Sequence, residues 1–180
     1  MNNIMMDIET LGTGVNSVIL SIGACYFDPS TGEIGPKFNE HINVQSCVDK
    51  GLEIDPSTVL WWMGQEDAAR NSIIDNQESA ISLQAALNRF GLFVDPHARI
   101  WGNGATFDNT IVKNAYDKCG TFVPWKFWND RDVRTIVELG QQMGFDPKRD
   151  IPFEGIQHDA LADAIHQAKY VSAIWQRLGL

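Results

Sequence analysis

Asp7 and Glu9 stand two residues apart at the end of a short apolar run, Asn3 to Ile8. On a β-strand, residues i and i+2 project from the same face, so this spacing sets two carboxylates side by side near the end of a buried strand. Like charges so placed repel each other and lose hydration together. A fold containing them must supply a cation, keep one acid protonated, or let Glu9 mark the solvated end of the strand. No other segment constrains the architecture as strongly.

The rest of the chain indicates what surrounds that strand. After the loop Gly12-Thr13-Gly14 comes a second apolar run, Val18 to Phe27, closed by the turn Asp28-Pro29-Ser30-Thr31-Gly32. Glu33 to Ile42 reads as a third strand, and Pro36 within it predicts an edge position or a bulge. Short turns join the three, which predicts an antiparallel meander. From Val44 to Phe93 the pattern turns helical. Asp55-Pro56-Ser57 is a helix start leading into Thr58 to Met63, and Ser79 to Phe93 is a longer amphipathic stretch. Arg99 to Trp101 reads as a short buried strand. Helices follow over Thr106 to Cys119 and Asp130 to Met143, stopped by Gly120 and Gly144, and a last one over Gln157 to Leu178. A meander followed by alternating strands and helices predicts one α/β domain over 1–180, with a mixed sheet of antiparallel meander plus parallel strands flanked by α-helices.

Charge bears on the partner. Asp and Glu number 23 against 14 Lys and Arg, a net charge of −9. That argues against a protein that coats phosphates with basic side chains, but not against one that handles nucleic acid through metal ions. The three cysteines, Cys25, Cys47 and Cys119, form no CxxC pair, so neither a zinc ribbon nor a disulfide framework is supported. Free thiols in a reducing cytoplasm are expected. The N-terminus has no basic region and meets Asp7 too early for a signal peptide. With no run of 18 apolar residues, no membrane partner is expected.

Two further segments carry chemistry. In Asn103-Gly104-Ala105-Thr106-Phe107-Asp108, between a strand and a helix, Thr106 or Asp108 can serve simply to cap the helix or complement its dipole. The placement of Gly102 and Gly104 fits neither GxGxxG nor a P-loop, which excludes a dinucleotide fold. In His158-Asp159-Ala160-Leu161-Ala162-Asp163, five helical positions make a rotation of about 140°. His158 and Asp163 therefore converge only if His158 sits at or before the helix start. Asp163 then faces the sheet alongside Ala160 and Ala164. The alternative is a solvated Asp159/Asp163 face with a surface histidine. His158 is not part of an HExxH, which excludes a zinc protease.

Together these segments offer Asp7, Glu9, Asp108, Asp163 and one histidine. Hard oxygen ligands suit Mg²⁺ or Mn²⁺ rather than zinc. Two such ions about 3.5–4 Å apart can stabilise both the attacking and the leaving oxygen of a phosphodiester. A histidine, which ordinarily titrates at about pH 6.5, can take the proton from the attacking water.

Asp-x-Glu-Thr, Asn-x-Ala-x-Phe-Asp and His-Asp-Ala-Leu-Ala-Asp-Ala resemble the three motifs of the DEDDh superfamily of 3′–5′ exonucleases. Ser57-Thr58-Val59-Leu60-Trp61-Trp62 with Gln65 and Ala69-Arg70, and Lys126 to Thr135, resemble a narrower branch. That branch holds T-even phage exodeoxyribonuclease A and short bacterial and phage 3′–5′ exoribonucleases. The resemblance runs from Ile4 to about Ala168. It implies an RNase H-like fold, with two Mg²⁺ (or Mn²⁺) ions held by Asp7, Glu9, Asp108 and Asp163, and His158 as general base. It implies a 3′ nucleotide lodged at Thr10 and Leu11, and Asn103 and Trp62 are the other expected substrate contacts. The implied activity is metal-dependent hydrolysis of single-stranded DNA or RNA from the 3′ end to nucleoside 5′-monophosphates. Family habit suggests a homodimer. The chain departs from many relatives at Trp101-Gly102, where they carry a histidine or other polar residue, and this bears on the wall of the substrate groove.

Trp61 and Trp62 are about 100° apart on a helix, so they cannot both face one core centre. Either both pack, or one packs while the other borders the groove and stacks a base, worth about 1–3 kcal/mol. Trp125, Phe127 and Trp128 read as a structural cluster. Arg131 and Arg134 either contact phosphates or pair with Asp130 and Glu138, and Asp132 is expected behind the metal ligands. Two competing functions are a catalytically idle RNase H-like binding domain and a small-nucleotide phosphohydrolase. Loss of a metal carboxylate would have favoured the first, and none is lost; product analysis separates the second.

Overall fold

In the computed structural model, which describes residues 1–179, the first three expected strands form as β1 (Asn3–Thr10), β2 (Ile19–Asp28) and β3 (Glu33–His41). β1 pairs antiparallel with β2, and β2 with β3. β4 (Arg99–Gly102) adds parallel to the free side of β1, and β5 (Asp130–Asp132) adds parallel to β4. The order is β3-β2-β1-β4-β5. This is the expected mixed sheet, and Pro36 falls on its β3 edge, where a missing ladder donor is tolerated.

Eight α-helices are described: α1 (Val44–Val48), α2 (Pro56–Met63), α3 (Asp67–Gln77), α4 (Leu83–Phe93), α5 (Asp108–Lys118), α6 (Val133–Gln142), α7 (Pro147–Asp150) and α8 (Ala160–Arg177). Local chemistry fixes several starts. Asp55 and Ser82 cap α2 and α4 by accepting from Ser57 N and Ala85 N. Asp159 caps α8 by accepting from Ala162 N at 2.9 Å, so α8 starts three residues later than the sequence suggests. The larger correction is β5. Asp130–Asp132 is a strand, not the first turn of a helix; its pairing with β4 ends where Asp132 caps α6 by accepting from Thr135 N.

Alternation along β1 separates two cores. Ile4, Met6 and Ile8 face a cluster built with α4 and α5 that includes Leu87, Phe90 and Ile111. Met5 faces the opposite cluster, built with α6 and α8 from residues such as Val133, Ala164 and Val171. Asp7 and Glu9 continue the Met5 face, so both carboxylates lie on the α8 side of the sheet. Among the described residues no helix is long and apolar enough to cross a membrane.

Candidate active site

Two glycines let the acids converge. Asp7 is registered opposite Gly23 of β2, and a Cβ on Gly23 would overlap the backbone of Ala160 and Leu161. The bare backbone there seats the first turn of α8 directly on the sheet and brings Asp163 down beside β1. At the end of β4, a Cβ on Gly102 would stand 3.0 Å from Asp108 Cβ and 3.1 Å from Asp108 Oδ2. Gly102 thus admits the start of α5, and Asp108 is buried there.

Burial raises all four acids, and repulsion from the other site carboxylates adds to it at Asp7 and Glu9. Asp7 is pushed well above the usual carboxylate range by burial, then by the charges of Asp108, Glu9 and Asp163. Burial, with Asp163 and Asp108 next, raises Glu9 to about 8. Burial also raises Asp108 to about 7 against the pull of nearby backbone N–H groups and Arg134, and Asp163 to about 6 against the pull of His158. Glu9, His158 and Asp163 each present a ligand atom, all within 4.8 Å of one another. Asp7 and Asp108 stand beside this trio: the charges of Glu9 and Asp163 raise Asp7, and that of Asp108 raises Glu9.

His158 sits just before α8, as convergence with Asp163 requires. Its backbone is left-handed (φ 63°), and its N–H donates to Asp163 Oδ2 at 3.1 Å. Its ring packs edge-to-face with Trp61 and Trp62, with centroids 5.1 and 5.7 Å away. The two tryptophans divide their work. Trp62 is 5% exposed and donates its indole N–H to Thr10 O at 2.9 Å, whereas Trp61 is 47% exposed. Both line a cavity of about 430 Å³ with Glu9, Thr10, Ser57 and Phe107.

The remaining expected residues are placed less uniformly. Thr10 lines that cavity, while its Oγ1 donates to Gly12 O. Leu11 packs against the core, its N–H donating to Val18 O and its carbonyl accepting from Asp55 N. Asn103 lies in the β4–α5 turn near Asp108 and does not line the cavity. Trp101 is buried in the second core, donating to Asn3 Oδ1, so the Trp101-Gly102 departure shapes the seat of Asp108 rather than the cavity wall. Asp132 braces the same turn by accepting from Ala105 N at 2.7 Å. Arg131 donates to the carbonyls of Trp128 and Asp130. Arg134 lays its guanidinium over Gly104 and has no ion-pair partner among the described residues. The aromatic cluster splits. Trp125 is buried and donates to Asp130 Oδ1, which also accepts from Asn109, while Lys113 pairs with Oδ2. Phe127 and Trp128 form an exposed edge-to-face pair. Gln167, not foreseen from the sequence, donates its side-chain N–H to Asp7 Oδ1 at 2.8 Å. Its position one turn beyond Asp163 on α8 is the signal that would have found it.

This sheet, with its acids and histidine drawn from three segments, is that of a 3′–5′ exonuclease. The chain belongs to the family of the 3'-5' exoribonuclease Rv2179c-like domain, whose model matches residues 2–175. It is 26% identical to the exodeoxyribonuclease of Enterobacteria phage T4, over 91% of this chain and 84% of that protein. In fold it is similar to E. coli exonuclease I in complex with a dT13 oligonucleotide (TM-score 0.67, 15% identity), covering 98% of this chain and 41% of that one. It is also similar to the nuclease domain of 3'hExo, a DEDDh family member, bound to rAMP (TM-score 0.61, 12% identity), over 97% and 91% of the two chains. The chain thus spans less than half the length of exonuclease I.

Proposed function

We propose that this exonuclease trims single-stranded nucleic acid from the 3′ end, releasing nucleoside 5′-monophosphates, with two divalent ions held by Asp7, Glu9, Asp108 and Asp163. The observation that carries this reading is a group of four carboxylates, Asp108 buried and the others half-buried, all raised by desolvation and two of them also by their neighbours' charge, beside an open cavity. Such a group calls for cations, and its all-carboxylate oxygen set fits Mg²⁺ or Mn²⁺. Bound ions would supply the Lewis-acid charge that favours in-line displacement at phosphorus.

The protein's own groups do the rest. His158, fixed by its N–H on Asp163 and by the two indoles, takes the proton of the attacking water on an imidazole nitrogen. The cavity, at about 430 Å³, falls in the range of small-ligand sites, about 300–1,000 Å³, and receives the 3′ nucleotide. Trp61 offers an open indole for the base, with Phe107 and Thr10 also in the wall. Trp62 acts behind it through Thr10 and His158. Leu11 supports the wall from the core, and Asn103 positions Asp108 through the β4–α5 turn. A reducing cytoplasm is supported by the free thiols Cys25, Cys47 and Cys119. A homodimer, proposed from the family resemblance, is read by light scattering.

The phage T4 relative is an exodeoxyribonuclease and the family takes its description from an exoribonuclease, so the test uses both sugars. Matched 5′-labelled single-stranded DNA and RNA, and their duplexes, are incubated with Mg²⁺ or Mn²⁺. A ladder shortening from the 3′ end of the single strands, with 5′-monophosphate products, is expected. Internal cleavage, or turnover of free nucleotides alone, would overturn the proposal.

A further inference from the structure

α8 brings to β1 a polar side chain that carries none of the charge. Gln167 follows Asp163 by one helical turn on the same stripe, is 4% exposed, and donates from Nε2 to Asp7 Oδ1 at 2.8 Å. Its Oε1 is buried with no hydrogen-bond partner among the described residues. A buried amide left half-satisfied is unfavourable compared with an apolar side chain of similar size, so the surrounding core gives no reason for a glutamine here. Asp7 does. An N–H on Oδ1 fixes the plane of the carboxylate and leaves Oδ2 free. A glutamate in its place would add a fifth acid to a group already crowded with negative charge, and once ionised could not donate.

We propose that Gln167 is the positioning residue of Asp7, holding its carboxylate in the orientation that a divalent ion needs and so setting the metal affinity of the site. The proposal rests on the reading of Asp7 as a metal ligand. Partners of this kind act by fixing the ligand's geometry before the ion arrives.

The test is Mn²⁺ binding to the whole protein by isothermal titration calorimetry, with Gln167→Leu as the variant of similar volume lacking the donor. Gln167→Met, more flexible in the core, carries the same measurement if the leucine variant fails to fold. Loss of an outer partner typically weakens metal binding about 10–100-fold; weakening of about threefold or more is expected here, and a smaller change overturns the proposal. Activity of the variant should recover as Mn²⁺ is raised, with KM for the oligonucleotide unmoved. Asp7→Asn separates the two layers. Unchanged Mn²⁺ binding in Asp7→Asn refutes the metal reading itself. Lost binding there, with wild-type binding in Gln167→Leu, refutes the positioning role alone.

Discussion

Gly23 stands opposite Asp7 across the β1–β2 ladder, and the backbone of Ala160 and Leu161 occupies the space its side chain would fill. The contact is backbone against backbone, so neither side can yield by changing a rotamer. It sets the height of α8 above the sheet, and with it the distance from Asp163 to the β1 acids.

Gly23→Ala should therefore act on both stability and chemistry. Overpacking typically costs about 1–3 kcal/mol, which urea denaturation will read. Because the inserted methyl lifts the helix carrying Asp163, activity should fall by more than the unfolded fraction explains. Wild-type activity in a destabilised Gly23→Ala would show that the seat of α8 is not critical.

The raised acids predict a pH dependence with a definite sign. A carboxylate whose folded pKa is raised contributes stability that is complete below its unfolded value, about 4, and lost as pH rises through the folded value. Asp108 and Glu9 reach about 7 and 8. Metal-free protein should lose thermal stability from pH 7 to 8.5, and Mn²⁺ should restore more at pH 8.5 than at pH 6. His41 and His166, lowered chiefly by burial, act oppositely around their ordinary value of about 6.5, so the acids are read above pH 7. A metal-free melting temperature that rises over that interval would contradict the assignment.

Trp61 is the open member of the tryptophan pair. Trp61→Ala should remove about 1–3 kcal/mol of base stacking, seen as a higher KM for oligonucleotides with a smaller change in kcat, and Trp61→Phe should recover most of it. A purely structural Trp61 would give lower stability with KM unchanged.

Much of this was legible in the sequence because the signals were local. Asp7 and Glu9 interrupt an apolar run, and His158 with Asp163 can converge in only one placement relative to a helix start. Other features depend on tertiary contacts. β5 is three residues, Asp-Arg-Asp, with no periodicity, and is a strand only because β4 offers it an edge. α3 is largely polar and buries only Ala69 within its span, so no apolar stripe announces it. The ladder shifts register between Glu9 and Thr10, with Leu20 the extra residue on β2, and Leu11 lies past the end of β1, so strand alternation does not reveal that it packs against the core. Gln167 resembles any polar helix residue until α8 is laid on β1.

Arg134 gives a test of substrate phosphate binding. Its guanidinium lies over Gly104, near Asp108, with no ion-pair partner among the described residues. Arg134→Gln should raise KM alike for all sequences and reduce the salt slope of binding by about 1. An unchanged salt slope would remove Arg134 from the substrate path.

The central claim is that four carboxylates from three motifs act as one metal-dependent exonuclease centre. Asp163→Ala, assayed on a 5′-labelled single-stranded oligonucleotide with Mg²⁺, tests it most directly. Folded variant protein that leaves the 3′ end intact, where wild type shortens it stepwise, is the predicted result; full activity of Asp163→Ala would contradict it.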